Sequence, residues 1–162
     1  MITSARAALI AVAVPLSAFA GAAPEPNPAP VFHVKVELSK TAAASLATIK
    51  ETIMVVAYYY GLPAKGQENK ADEMGQIQLG QEDVELPGAG TATFSGAPIK
   101  TARLPYIDGG VQVVINVFSG RKSSPNNLLD CGFFDGPVAQ AAKKGLSLYC
   151  KMIAEQRQAA KN

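Results

Sequence analysis

Short runs of β-branched and aromatic residues, each cut off by glycine or proline, constrain this chain more than any other feature. Its 14 Gly and 11 Pro follow no fixed period, so the 162 residues are neither collagen-like nor low-complexity. Residues 31–38 alternate, with Phe32, Val34, Val36 and Leu38 on one side and His33, Lys35 and Glu37 on the other. That period of two marks a half-buried strand. Residues 52–60 are apolar on both faces and end at Gly61-Leu62-Pro63, which predicts a central strand covered on both sides. Residues 111–118 form the strongest strand, entered through a turn at Asp108-Gly109-Gly110, with Val111, Val113, Ile115 and Val117 on its core face.

Weaker segments fill the intervals. Ser39 is placed to cap a helix over 40–49, with Leu46 and Ile49 inward. Residues 64–75 are polar and read as a surface loop. Short strands are expected at 76–79, 84–86 and 91–95, with a turn at 87–90. An edge strand is expected at 99–104, flanked by Pro98 and Pro105. Residues 119–137 look irregular, 138–144 form a short helix closed by Gly145, and 146–153 form the last strand. The expected fold is all-β, a mainly antiparallel β-sandwich of immunoglobulin-like kind with one or two short helices and one disulfide. An α+β arrangement, with the helix at 40–49 packed on one antiparallel sheet, is the alternative.

The chain begins as an export leader would. Residues 1–20 carry Arg6, an apolar stretch from Ala7 to Val14, the helix breaker Pro15 and the small-x-small pattern Ala18-Phe19-Ala20. Cleavage is expected after Ala20, or after Ala22 on a second reading, and the stretch is too short for a membrane span. Residues 21–30 form a proline-rich spacer, 31–153 a single β-rich domain and 154–162 a polar tail, either a frayed helix or disordered. Export places the chain in the periplasm or outside the cell. There its two cysteines, Cys131 and Cys150, have one possible internal pairing. Closing that loop of about 20 residues stabilises by about 3 kcal/mol on chain entropy.

Function is less clearly written. A formal charge of +2 gives no footprint for nucleic acid, where clustered cations must replace counterions. His33 is the only imidazole, and no G-x-S-x-G elbow or metal-ligand spacing accompanies it, so neither cofactor nor metal is expected. Glu82, Asp83 and Glu85, with Asp72 and Glu73, supply acidic pairs, but adjacent strand residues point to opposite faces, so Glu82 and Asp83 cannot be a glycosidase pair, and solvated surface is the default reading. Tyr58 and Tyr60 share a face and could serve as an aromatic platform for a sugar or peptide, though sheet packing accounts for them equally. The most distinctive polar stretch is 119–127, where Ser119, Gly120, Arg121, Lys122, Asn126 and Asn127 follow the strongest strand. Such a loop on a rigid sheet can display binding groups, and Arg121 can grip a carboxylate or phosphate. An ordinary polar turn bonded to its own backbone is the competing reading.

These features together favour an exported, non-enzymatic binding domain that contacts a protein or a cell-envelope component through loop 119–127. An inhibitor of an envelope hydrolase is one such case. The alternatives are a small exported hydrolase using His33, and a structural accessory subunit that pairs through the edge at 99–104.

Overall fold

The structure, a computed structural model, describes residues 29–159. The expected leader, its cleavage points and residues 21–28 of the spacer lie outside them. Ala29, two residues before the first strand pattern, is buried in the core. β1 (Phe32–Leu38) buries Phe32, Val34 and Val36 and exposes His33 and Lys35, as its alternation predicts. Ser39 then caps α1 (Lys40–Ile49), its Oγ accepting from the Ala42 amide at 2.9 Å. Ala42 and Leu46 face inward. Ile49 does not. The chain leaves the helix at Lys50 in a left-handed conformation, φ 53°, and it is Glu51 that is turned into the body.

Two four-stranded sheets face each other. The first runs β4 (Gly90–Phe94), β1, β8 (Leu146–Met152), β6 (Leu129–Cys131). The second runs β3 (Ile77–Leu86), β2 (Ile53–Pro63), β5 (Ile107–Ser119), β7 (Phe134–Pro137). Every pairing is antiparallel except β1 with β8, which is parallel. Phe32 stacks on Phe94 within the first sheet, centroids 5.1 Å apart, and meets the edge of Tyr59 from the second sheet at 6.5 Å. That aromatic contact ties one sheet to the other. Aliphatic side chains, among them Val34, Ile53, Val55, Ile115 and Leu148, fill the rest of the interior. Cys131 and Cys150 lie directly opposite each other on β6 and β8 and form a disulfide, which fastens a three-residue edge strand to its neighbour.

Among the described residues, three α-helices accompany this sandwich. α2 (Val138–Lys144) buries Val138 and Ala141 and stops at Gly145, φ 64°. α3 (Ile153–Ala159) takes residues of the expected polar tail and realises the helical of its two alternatives. Glu155 fixes its start by accepting from the Met152 amide at 2.6 Å and the Ser39 hydroxyl at 2.8 Å. The body is thus a β-sandwich with an α+β complement of short helices.

Three segments depart from expectation. Residues 99–104 form no edge strand. Ile99 is buried and a 3-10 helix spans Thr101–Tyr106, because the chain is strapped across β3: the Lys100 amide donates to the Leu79 carbonyl at 2.8 Å and the Arg103 guanidinium to the Gln78 carbonyl at 2.7 Å. The pieces at 76–79 and 84–86 are one strand, β3, with a bulge opposite Tyr59 and Tyr60. Gly80 lies at the bulge, where an added Cβ would meet the Pro98 carbonyl oxygen at 2.5 Å. The stretch 119–137 contains β6 and β7.

Candidate functional site

The outer face of the second sheet carries an aromatic and apolar centre flanked by polar side chains. Register fixes its rows. Gln81, Tyr58, Val114 and Asp135 lie side by side across β3, β2, β5 and β7. Gln78, Tyr60, Gln112 and Pro137 form the next row. Side chains two apart on a strand share a face, so both rows point the same way, opposite to the inward Tyr59. Tyr58 stays 42% exposed, and its hydroxyl has no partner among the described residues. Tyr60 is held down, its hydroxyl donating to Asp135 Oδ1 at 2.7 Å. Burial first, then the Asp135 carboxylate, push the Tyr60 hydroxyl up to about 12, so it remains a neutral donor at ordinary pH.

A turn walls one side of this face. Asp72 Oδ1 accepts from the amides of Met74 at 2.9 Å and Gln76 at 3.1 Å, while its Oδ2 accepts from Gln78 Nε2 at 3.2 Å. The Gly75 amide donates to the Asp72 carbonyl at 2.9 Å. The Gln76 amide above all holds the Asp72 carboxyl below the usual carboxylate range, and the Met74 and Gln78 donors add to the effect against the opposing cost of burial. This self-bonded turn presents Met74 at its tip, 80% exposed. Pro98 and Lys100 also line this face, beside the bulge at Gly80. The half-open groove has a volume of about 900 Å³, toward the upper end for small-molecule sites.

Loop 119–127 is organised from within. Glu51, 2% exposed, accepts from the amides of Lys122 at 2.9 Å, Ser123 at 2.8 Å and Thr52 at 3.0 Å, and from the Ser123 hydroxyl. Burial opposes its ionisation, but these donors outweigh that and hold the carboxyl at about 2. Ser119 is buried, and its amide donates to Asn127 Oδ1 at 3.0 Å. Asn127 Oδ1 also accepts from the Leu129 amide, and its Nδ2 donates to the Leu129 carbonyl at 2.7 Å. At Gly120 a Cβ would collide with Thr52 Oγ1. Lys122 pairs with Glu85 at 3.0 Å. Arg121, at φ 60°, sets its guanidinium 5.7 Å from the centre of the Phe118 ring, and Asn126 is exposed. Ser119, Gly120, Lys122 and Asn127 therefore serve the loop's own architecture. Arg121 and Asn126 face water, with Arg121 over the far end of the tyrosine-bearing sheet face. Glu51 went unrecognised in the sequence because its partners are about 70 residues away.

The remaining candidates bond to residues on or beside neighbouring strands. His33 is exposed on β1 and its Nδ1 lies 3.0 Å from the Thr93 hydroxyl, its neighbour on β4. Glu82 is half-buried and accepts from the Ser95 amide and hydroxyl, the Gly96 amide and the Tyr59 hydroxyl. Burial resists its charge, but those donors keep its carboxyl below the usual range. Among the described residues no three His, Cys, Asp or Glu side chains come together as metal ligands would. No helix among them is long and apolar enough to cross a membrane. Comparison of the chain with protein-family models, with curated proteins and with solved structures finds no match.

Proposed function

We propose that this protein is an exported, non-enzymatic binding domain that takes a cell-envelope component in the groove on the outer face of its second sheet. The observation that carries this reading is Tyr58. It is a large aromatic ring left 42% exposed in the middle of a walled concave face, where it adds nothing to the contact between the sheets. The Cys131–Cys150 disulfide supports residence in an oxidising compartment. The non-enzymatic reading draws support from His33, whose partner is a lone threonine hydroxyl on an open strand. Loop 119–127 is a weaker contact surface than the groove, since four of its six candidate residues are engaged within the chain.

Pull-down from a cell-envelope extract with the wild-type protein, Tyr58→Ala and Arg121→Ala tests this assignment. Recovery should fall with Tyr58→Ala and persist with Arg121→Ala. The reverse pattern moves the site to the loop, and equal recovery from all three overturns the groove.

A further inference from the structure

The chemistry of the groove narrows what it can hold. Its charged lining groups are Asp72, Asp135 and Lys100. Asp72 Oδ1 accepts two amides of its own turn and Oδ2 accepts from Gln78 Nε2 on β3, so most of its accepting capacity is spent within the protein. Lys100 is a single ammonium with no carboxylate partner among the described residues, too little to hold a polyanion. Two carboxylates against this one ammonium leave the lining a net charge of about −1, too little to hold a polycation either. What remains uncommitted is a mixture: the Tyr58 hydroxyl, Asp135 Oδ2, Lys100 Nζ and the side-chain amide of Gln76. These supply donors and acceptors at once, around an exposed ring.

We infer that the groove binds a neutral, hydroxyl-rich glycan chain, an inference that rests on the groove being the binding site. A sugar hydroxyl both donates and accepts, which matches the mixed set of uncommitted groups. The C–H face of a sugar ring is apolar and packs against the face of an aromatic ring, so Tyr58 provides a stacking platform. The wall at Met74 adds an adaptable apolar contact, since a thioether adjusts to irregular surfaces. Neither β2 nor the Asp72 turn needs to move for this. Tyr60 is bonded to Asp135 and the turn is bonded to itself, so little ordering cost falls on binding.

The test is a titration of the isotopically labelled protein, followed by amide chemical shifts, with one probe at a time. The neutral probes are tetrasaccharides of β-1,4-glucose, α-1,4-glucose, β-1,4-N-acetylglucosamine and β-1,4-mannose. Tetragalacturonate serves as the anionic probe and spermine as the cationic one. At least one neutral tetrasaccharide should bind saturably and shift the amides of Tyr58, Gln81 and Val114. Tyr58→Ala should weaken that binding about tenfold or more, an effect of the size a stacked ring contributes, with an unchanged melting profile, while Arg121→Ala leaves it intact. If spermine or tetragalacturonate shifts those amides and no neutral probe does, the glycan class is wrong and the groove stands as a site. If no probe shifts them, the glycan inference falls, and the pull-down with Tyr58→Ala then decides whether the groove falls with it.

Discussion

The two outer faces of the sandwich are made from the same pleat and present opposite surfaces. On the first sheet, Lys35 bonds Glu37, Glu37 accepts from the Ser147 hydroxyl at 3.1 Å, and Lys151 lies 3.9 Å from Asp130. Polar and charged side chains there find one another, and Tyr149, 55% exposed, stands singly among them. On the second sheet, the row Gln81, Tyr58, Val114, Asp135 puts an aromatic ring and an aliphatic side chain in the centre of the face, with a self-bonded turn beside them. A sheet face turned to water is stable when polar throughout. The second face is thus more apolar than its water-facing position requires, and surplus of that kind inside a concavity is what a binding surface needs.

For this contrast to stand, the rival site at loop 119–127 must be architecture, and that yields the largest expected effect. Glu51→Ala strands three backbone donors, and the protein should lose about 3 kcal/mol in denaturant unfolding at pH 7. The acid dependence follows in sign. The folded carboxyl sits at about 2, below its ordinary 4.5, so its contribution is fully present above the ordinary value and is lost as pH falls toward 2. Glu51→Gln should therefore be less stable than wild type at pH 7 and nearly equal to it at pH 2. A gap that persists at pH 2 would mean that the charge is not what holds the loop.

The next effect separates the two faces directly. Val114→Lys places an ammonium beside Tyr58 and should weaken capture of the envelope ligand about thirtyfold or more, the scale of a central interface residue. Ser147→Lys on the opposite face should leave capture unchanged. Equal losses from both would erase the distinction between the faces. A smaller effect is expected from Tyr60→Phe, which removes the bond to Asp135. Stability should drop by about 1 kcal/mol and ligand affinity by a few-fold. The smallest is Tyr149→Ala, expected to change binding not at all and stability by less than about 0.5 kcal/mol.

Much of the scaffold was legible locally. Ser39 and the alanine-rich run mark α1, Gly145 closes α2, and the alternation of 31–38 assigns each side chain of β1 to its face. What could not be read locally depends on partners distant in the chain. The parallel pairing of β1 with β8 joins residues more than 100 positions apart. Residues 99–104 have strand-like composition, but their amide and guanidinium donors reach β3 carbonyls, and no spacing rule announces that. Ile49 reads as inward on helical period, yet it is the last residue of the helix, and past the left-handed Lys50 it is Glu51 that takes the inward place. At the site, period two put Tyr58 and Tyr60 on one face. That Tyr60 is pinned by Asp135 while Tyr58 stays open depends on β7, a four-residue strand with no sequence signature of its own.

Tyr58 and Tyr149 are exposed tyrosines on opposite faces of one molecule, so each is the control for the other. Hydroxyl-radical footprinting with mass spectrometry, with and without the neutral tetrasaccharide that binds in the titration, reads both in a single experiment. Oxidation of Tyr58 should fall sharply on binding while that of Tyr149 holds constant. Protection of Tyr149 with Tyr58 unaffected would place the contact on the first sheet and contradict the account.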